Sequence, residues 1–292
     1  MKTKQKSVAI TGAGGGLGFE LAKGFAQEGY RVFGTVISQA ELQSTKFPEG
    51  TNVQLLICDI TKESDVQAWK ASVANQLAGA GLSLLVNNAG VLTPGPMELL
   101  KLEAIKREFD VNVFGSIAVI NNFLPLLRQS KGRIIQIGSM TGHFSLPYSG
   151  PSSASKAAME SFADVYRLEL RQFGVEFVMV QPGNMVTGGP AKTAAQLKKM
   201  ADSMSEEQAK LYGAYFQKFS DALNGAQSAG LSAQNAAKEV IEIAERTPAP
   251  TRAPVGQDSA EILKLVKTQT DEQLDKMKWE MFHLNEVRQM SS

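Results

Sequence analysis

Short runs of aliphatic and β-branched residues recur along the 292-residue chain: SVAI at 7–10, YRVFGTV at 30–36, NVQLLIC at 52–58, LSLLVN at 82–87, GRIIQIG at 132–138 and VEFVMVQ at 175–181. Longer stretches with apolar residues at helical spacing separate them. Runs this short and this continuously apolar fit strands covered on both faces, and parallel strands need crossover helices, so the alternation predicts an α/β fold built on a parallel sheet. Glycine and proline cluster at the ends of the runs, where loops belong. After Gly183 the pattern changes. Residues 188–248 hold no strong strand candidate but two helical patterns, at about 205–223 and 232–246, ahead of TRAPVG at 251–256, a candidate final strand; the remaining C-terminal residues again have helical spacing. The expected organisation is one domain over 1–292, with 188–248 a helical lid inserted before the last strand.

Composition narrows the function. An apolar fraction of 43% is enough for a large single core. Thirty basic residues against 29 acidic leave a net charge of +1, which gives no footprint for nucleic acid or an anionic membrane and favours a small neutral ligand. The N-terminal MKTKQKSVAIT is too briefly apolar for a signal peptide or a membrane span. Cys58 is the single cysteine, and His143 and His283 are the two histidines. That set excludes an internal disulfide, is too small for a zinc site, and suggests a soluble protein of the reducing cytoplasm.

The segment TGAGGGLGFELAKGFAQEG, residues 11–29, follows the first strand and opens a helix, the setting in which a helix N-terminus receives phosphate. A GxGxxG fingerprint would place glycine where Leu17 stands. TGxxxGxG fits instead: Gly12, Gly16 and Gly18, with Gly14 and Gly15 between them, permit a tight turn and close approach of a pyrophosphate. A flexible turn would look the same, so the string needs companions. Asp59, followed by Ile60, comes directly after the third strand, at the carboxyl edge of the sheet where open α/β folds bind ligands; it reads equally as a helix N-terminal acid. At the end of the second strand, where an acid would hold the 2′-hydroxyl of NAD, stands Thr35. With no carboxylate there to repel a 2′-phosphate, NADP is favoured and NAD is the alternative, although Val36, Ile37 and Ser38 supply no arginine.

With NNAG at 87–90 (Asn88, Ala89 and Gly90 among them), the chain resembles the short-chain dehydrogenase/reductase family over most of residues 6–256. TGxxxGxG at 11–18, Asp59, NNAG, Asn112 in DVNVFG, Ser139 after the fifth strand, Lys156 in SASK and PGNMVT at 182–187 occur in the family's order and spacing. The resemblance implies a doubly wound Rossmann fold, a nicotinamide cofactor, and hydride transfer between its C4 and an alcohol or carbonyl carbon. It gives the glycine turn, Asp59, NNAG, Lys156, Pro182, Gly183 and Thr187 to the cofactor, Thr187 at the carboxamide. Ser139 would donate a hydrogen bond to the substrate oxygen, and Asn112 would sustain a water chain behind Lys156. In the family, a tyrosine four residues before the lysine handles the proton; on one helix face the ammonium lowers its pKa. The region 188–248 and Arg252–Gly256 are similar to the branch of hydroxysteroid, retinol and related lipophilic-alcohol dehydrogenases.

Ser152 stands at that tyrosine's position. The register is firm, because SASKAAMESF continues the pattern and Pro147 and Gly150 precede it. A serine hydroxyl is several Å shorter in reach than a phenol and far less acidic, and loss of a general acid lowers a rate by about 10² to 10⁴. Tyr148, in the preceding loop, is the candidate replacement. The chain therefore reads as an oxidoreductase impaired at Ser152, by engineering or by spontaneous substitution, with a non-catalytic cofactor-binding sensor or regulator as the alternative. The presence of Asn112, Ser139 and Lys156 in register favours the first, and the cofactor site is expected to survive in both.

Met185, Met200, Met204, Leu211, Tyr212, Tyr215, Phe216 and Phe219 form an apolar stripe in the lid. Such stripes are usually core, but over a nicotinamide some would line a roomy pocket for a bulky lipophilic alcohol or ketone, with Met185, Tyr212, Tyr148 and His143 around it. Segments 98–127 and 152–173 have apolar faces long enough for the homodimer or tetramer that the resemblance implies.

Overall fold

The computed structural model describes residues 5–186 and 188–287, and of 188–191 the backbone only. Its strands are β1 (Ser7–Ile10), β2 (Arg31–Val36), β3 (Val53–Ile57), β4 (Leu84–Asn87), β5 (Arg133–Ile137), β6 (Glu176–Pro182), β7 (Met185–Val186), β8 (Leu231–Ser232) and β9 (Arg252–Val255). Seven of them form one sheet in the order β3-β2-β1-β4-β5-β6-β9, every pairing parallel. The order reverses between β1 and β4, so β1 and β4 diverge at their carboxyl ends into a crevice, the place where doubly wound sheets bind ligands. All seven apolar runs seen in the sequence, TRAPVG included, are strands of this sheet.

The helices are α1 (Gly16–Gln27), α2 (Gln39–Ser44), α3 (Glu63–Leu77), α4 (Leu102–Phe109), α5 (Ser116–Ser130), α6 (Gly150–Leu170), α7 (Gly188–Asp202), α8 (Glu206–Gln208), α9 (Ala214–Ser228), α10 (Ala233–Glu245), α11 (Gln257–Val266) and α12 (Asp271–Met281). They bury the sheet from both sides. Val8, Ile10, Val86, Ile135 and Val180 face Leu21 and Phe25 of α1 and Val240 of α10. Their neighbours Ala9, Leu85, Ile134 and Met179 face Trp69 of α3, Phe123 of α5 and Met159 of α6. Alternate residues of one strand thus enter opposite cores, which is why these runs are apolar throughout instead of alternating.

A six-residue π-helical turn, Asp110–Gly115, joins α4 to α5. The continuous run Leu102–Ser130 is long and apolar enough by composition to cross a bilayer, but half of it is buried inside the protein. Between β6 and β9 lie α7 to α10 and a small β7–β8 pair, Met185↔Leu231 and Val186↔Ser232. Helices α8–α9 and α10 cover the two patterns anticipated at 205–223 and 232–246; α7 and the β7–β8 pair were not anticipated. The aromatic stripe is mostly core: Phe216 and Phe219 cluster with Leu197 and Leu223 and with Phe282 and Leu284 from the chain's end.

Candidate active site

The glycine turn is a backbone construction. Gly12 at φ +67° and Gly16 at φ +54° occupy the left-handed region, which disfavours residues bearing a Cβ. A Cβ on Gly18 would stand 2.0 Å from the Gly12 carbonyl oxygen. The turn is tied from behind: Asn88 Nδ2 donates to the carbonyls of Thr11 (3.0 Å) and Gly12 (3.1 Å), and Thr11 Oγ1 accepts from the amides of Asn88 (2.9 Å) and Ala89 (3.0 Å). Helix α1 then begins with no capping side chain and no acid in its first turn. Its free N-terminal amides and positive dipole end suit an anionic group.

A groove of about 690 Å³ opens over this turn, lined by Gly12, Gly15 and Gly16, by Asp59 and Ile60, and by Asn88 to Val91. Leu17 points away into the core. Thr35 borders the groove but is committed to the turn, accepting from the Gly12 amide at 3.1 Å. Burial works against ionisation of Asp59, but hydrogen bonds from Thr61 and the charges of Lys62 and Arg107 outweigh it and hold the carboxyl below its ordinary range. Cys58 also lines the groove, its thiol pushed up to about 12 by burial and by Asp65 and Asp59, so it is inert.

Thr35 brings no carboxylate to the end of β2, as expected, but the helix that follows brings one to the groove. Glu41 of α2 lines the groove: its Oε2 accepts from the Ile37 amide at 2.8 Å, and its Oε1 lies 2.3 Å from where a Gly14 Cβ would be. Ser38, the N-cap of α2, orients that helix by accepting from the Glu41 amide at 3.2 Å.

Ser139 and Ser152 line a second cavity of about 200 Å³, whose Leu92 is the chain neighbour of groove-lining Val91. Ser139 caps the turn after β5, its Oγ accepting from the Thr141 amide at 3.1 Å. Ser152 and Lys156 are one helical turn apart on α6 and share a face. Lys156 donates to the Ile137 carbonyl at 3.0 Å. Although it keeps some contact with the cleft, desolvation pulls its pKa down to about 8 against the opposing pull of Glu108. Asn112 sits in the π-helical turn. Its Oδ1 accepts from the Val91 amide at 2.9 Å, and its Nδ2 donates to the Val91 carbonyl (3.0 Å), Ser155 Oγ (3.0 Å) and Glu108 Oε1 (3.3 Å). A Cβ on Gly90 would lie 3.3 Å from Asn112 Oδ1 and 3.8 Å from Lys156 Nζ; the glycine lets the NNAG backbone pass between groove and lysine.

Other anticipated residues lie elsewhere. Pro182 and Gly183 end β6, where Asp258 accepts from the Asn184 amide at 2.8 Å and leaves no room for a Cβ on Gly183. Gly183 and Met185 line the cavity; Thr187 lies outside the described residues. Tyr148 is no stand-in for a catalytic phenol: it packs edge-on against Phe216 at 5.4 Å between ring centroids, and burial raises its pKa. Tyr212 is at the surface, donating to Glu98. His143 turns to Glu160 at 3.4 Å, within a cluster that includes Arg252. The cavity is neither large nor purely apolar, with Ser149, Thr193, Asn184 and Gln227 beside Leu146 and Leu223.

Sequence reasoning missed Glu108. It is fully buried, and it is the buried residue of α4, whose Leu102 is 57% exposed. Burial raises its pKa, only partly offset by the hydroxyls of Thr93 and Ser152 and by Lys156. Neither hydroxyl completes a hydrogen bond to Oε2, which has no partner. Its spacing of four residues before Asn112 was visible, but so were Glu103, Lys106, Arg107 and Asp110 around it, which made it look like one more solvated charge.

Comparison with known proteins agrees with this architecture. The family model described as short chain dehydrogenase matches residues 6–198. A 3-amino-tetrahydro-pyrrolizinone reductase of Xenorhabdus hominickii is 32% identical over 272 residues, 93% of this chain and 94% of that protein. The mitochondrial D-beta-hydroxybutyrate dehydrogenase of Mus musculus is 34% identical over 220 residues, 71% of this chain; the match spans 64% of that longer protein. A short chain dehydrogenase of Burkholderia cenocepacia, solved in complex with NADP, superposes with a TM-score of 0.70 at 23% identity, covering 95% of this chain and 98% of that one. The chain belongs to the short-chain dehydrogenase/reductase family, a family of oxidoreductases on a Rossmann fold.

Proposed function

We propose that the chain is an NAD(P)-dependent oxidoreductase that interconverts a secondary alcohol and a ketone. The observation that carries the reading is the neighbourhood of two spaces: a groove floored by the Gly12–Gly16 turn and lined as far as Val91, and a cavity lined from Leu92 on, where Ser139 and Ser152 stand. The residues fit a dinucleotide. The α1 N-terminus would take the diphosphate, Asp59 and Ile60 the adenine end, and Asn88 to Gly90 with Lys156 the nicotinamide end. When bound, the nicotinamide exchanges a hydride with the substrate carbon. Ser139 then orients the substrate oxygen, and Lys156 places positive charge near it.

Glu41 supports NAD over NADP, because a carboxylate against Gly14 accepts from a ribose 2′-hydroxyl and repels a 2′-phosphate. The cavity supports a more compact substrate than a sterol-sized one. Its mixed lining, and a Gln227 Oε1 buried without a donor, suit a cyclic ketone carrying an N–H or O–H group. The Xenorhabdus relative, named for an amino-substituted bicyclic ketone and matched over nearly its whole length, supports the same class. The 40–68% exposure of Phe114, Phe162, Val165 and Leu168 on the outer faces of the α4–α5 junction and α6 supports a homodimer, which a light-scattering mass would test. For the activity, reduced coenzyme is titrated by fluorescence and a panel of amino-substituted cyclic ketones and larger lipophilic ketones is assayed. Saturable binding with turnover of the compact ketones is the expected result. Saturable binding without turnover of any ketone would favour the sensor reading.

A further inference from the structure

A hydroxyl as weakly acidic as that of Ser152 does not by itself supply a proton to an alkoxide at useful rate. One layer deeper than Ser152, however, the protein holds a carboxyl group with nothing structural to do. Glu108 is fully buried. One oxygen shares the Asn112 amide at 3.3 Å and the other has no partner. An unsatisfied buried carboxyl costs about 1–3 kcal/mol or more relative to an apolar residue, so a purely structural position would hold a leucine. We propose that Glu108, acting through the Ser152 hydroxyl, is the proton donor and acceptor of this site, in the role the family resemblance gives to a tyrosine. This rests on the oxidoreductase reading above.

The groups around Glu108 fit the role. Thr93, Ser152, Asn112 and Lys156 face it, and Lys156 is the charged one. Ser152 stands near enough to Glu108 for its hydroxyl to pull the carboxyl pKa down, without a completed hydrogen bond to Oε2, and it also lines the cavity. Burial holds the carboxyl protonated to higher pH than an ordinary glutamate, as a donor near neutrality must be. The shortness of serine then matters less, since the substrate oxygen can descend to the cavity floor and the acid stands behind it.

For reduction the atoms balance as follows. As hydride arrives at the carbonyl carbon, the C=O π pair moves to oxygen. The Ser152 O–H bond breaks and its proton passes to that oxygen, while the Glu108 carboxyl proton replaces it on Oγ. The products are the alcohol, oxidised nicotinamide and a Glu108 carboxylate beside the Lys156 ammonium. Solvent reprotonates Glu108 between turnovers. Oxidation runs the same steps in reverse, with the carboxylate as base.

The variants are Glu108→Gln, which keeps shape and hydrogen bonding but does not titrate, and Ser152→Tyr. Ketone reduction by the wild-type chain should fall as pH rises through the raised Glu108 pKa. In Glu108→Gln, kcat should drop by about 10² to 10⁴ and that limb should vanish, while coenzyme Kd stays within about threefold because Glu108 lies outside the groove. A readout independent of turnover is the infrared carboxyl band. A protonated-carboxyl band that persists in wild type above the pH at which ordinary glutamates ionise should be absent from Glu108→Gln. Turnover that survives Glu108→Gln within about threefold, or a missing band, would overturn the relay alone. Coenzyme binding with no turnover in either wild type or Ser152→Tyr would overturn the oxidoreductase reading, and the relay with it.

Discussion

The two halves of the site are built on opposite plans. In the coenzyme half the working parts are main-chain amides, in a turn held by hydrogen bonds that Thr11 and Thr35 accept and that the Asn88 side chain donates. In the proton half the working parts are side chains on α4, the π-helical turn and α6, and one of them, the Glu108 carboxyl, is buried with an oxygen unpartnered. The first plan fixes shape, and at Gly18 it tolerates nothing larger than hydrogen. The second fixes chemistry at the expense of stability. Mutations should therefore fail differently in the two halves: shape changes in the first lose binding, and charge changes in the second lose turnover while leaving the fold intact or firmer.

The largest effects test this division directly. Gly18→Val puts carbon into the 2.0 Å approach to the Gly12 carbonyl, and backbone cannot yield as a side-chain tip can. Fluorescence titration should show coenzyme Kd raised at least about 100-fold, with a loss of several kcal/mol in chemical denaturation. Lys156→Met should do the reverse, with kcat reduced by about 10² to 10⁴ and Kd changed less than about tenfold. The pH–rate profile should also lose a limb near the lysine pKa of about 8. Equal losses of Kd in both variants would erase the distinction between the halves.

The contrast also governs what could be read from the chain. The inner strands were legible because they are largely apolar on both faces, and the glycine turn because only glycine satisfies a left-handed φ or a carbonyl at 2.0 Å. Helix α7 was not, since GGPAKTAAQLKKMAD opens on helix-breaking glycines and carries few large apolar residues; two-residue strands such as β7 and β8 have no period to read. Tyr212 and His143 were misplaced because a polar tip looks the same whether it meets a ligand, as anticipated, or Glu98 and Glu160, as in the structure. Glu41 and Glu108 were invisible for a related reason: local spacing shows which residues share a helix face, while only tertiary packing decides whether that face meets solvent, a groove or a buried core.

Glu41 and Glu108 then offer intermediate tests, one in each half. Glu41→Arg exchanges a repelling carboxylate for a guanidinium that can bind a 2′-phosphate. The ratio of kcat/KM for NADH over NADPH should fall by about tenfold or more, equivalent to about 1.4 kcal/mol. An unchanged ratio would remove Glu41 from the ribose site. Glu108→Leu replaces a desolvated, half-satisfied carboxyl by a methyl-bearing side chain of similar size. It should raise stability by about 1 kcal/mol, seen as a thermal midpoint about 2–4 °C higher, while turnover is lost. A drop in midpoint would show that the carboxyl is structural after all.

The smallest effect belongs to Asp59, a side-chain element within the coenzyme half, and its sign is fixed by linkage. Its folded-state pKa is depressed because Thr61 donates from both its amide, at 3.1 Å, and its hydroxyl, at 2.7 Å, to Oδ1. A depressed carboxylate pKa means that the stabilisation is fully present above the unfolded value of about 3.9 and is lost as pH falls through the lower folded value. The side chain is 29% exposed, so solvent screening reduces the contribution. Asp59→Asn should therefore lower the stability of the coenzyme-free protein by no more than about 0.5 kcal/mol at neutral pH, and the difference from wild type should close as pH falls through the depressed folded-state pKa. Urea denaturation of both proteins across that range is the measurement. A difference that persists in acid would mean that asparagine disturbs the turn by its shape, and that even this residue follows the shape-determined plan of the half it belongs to.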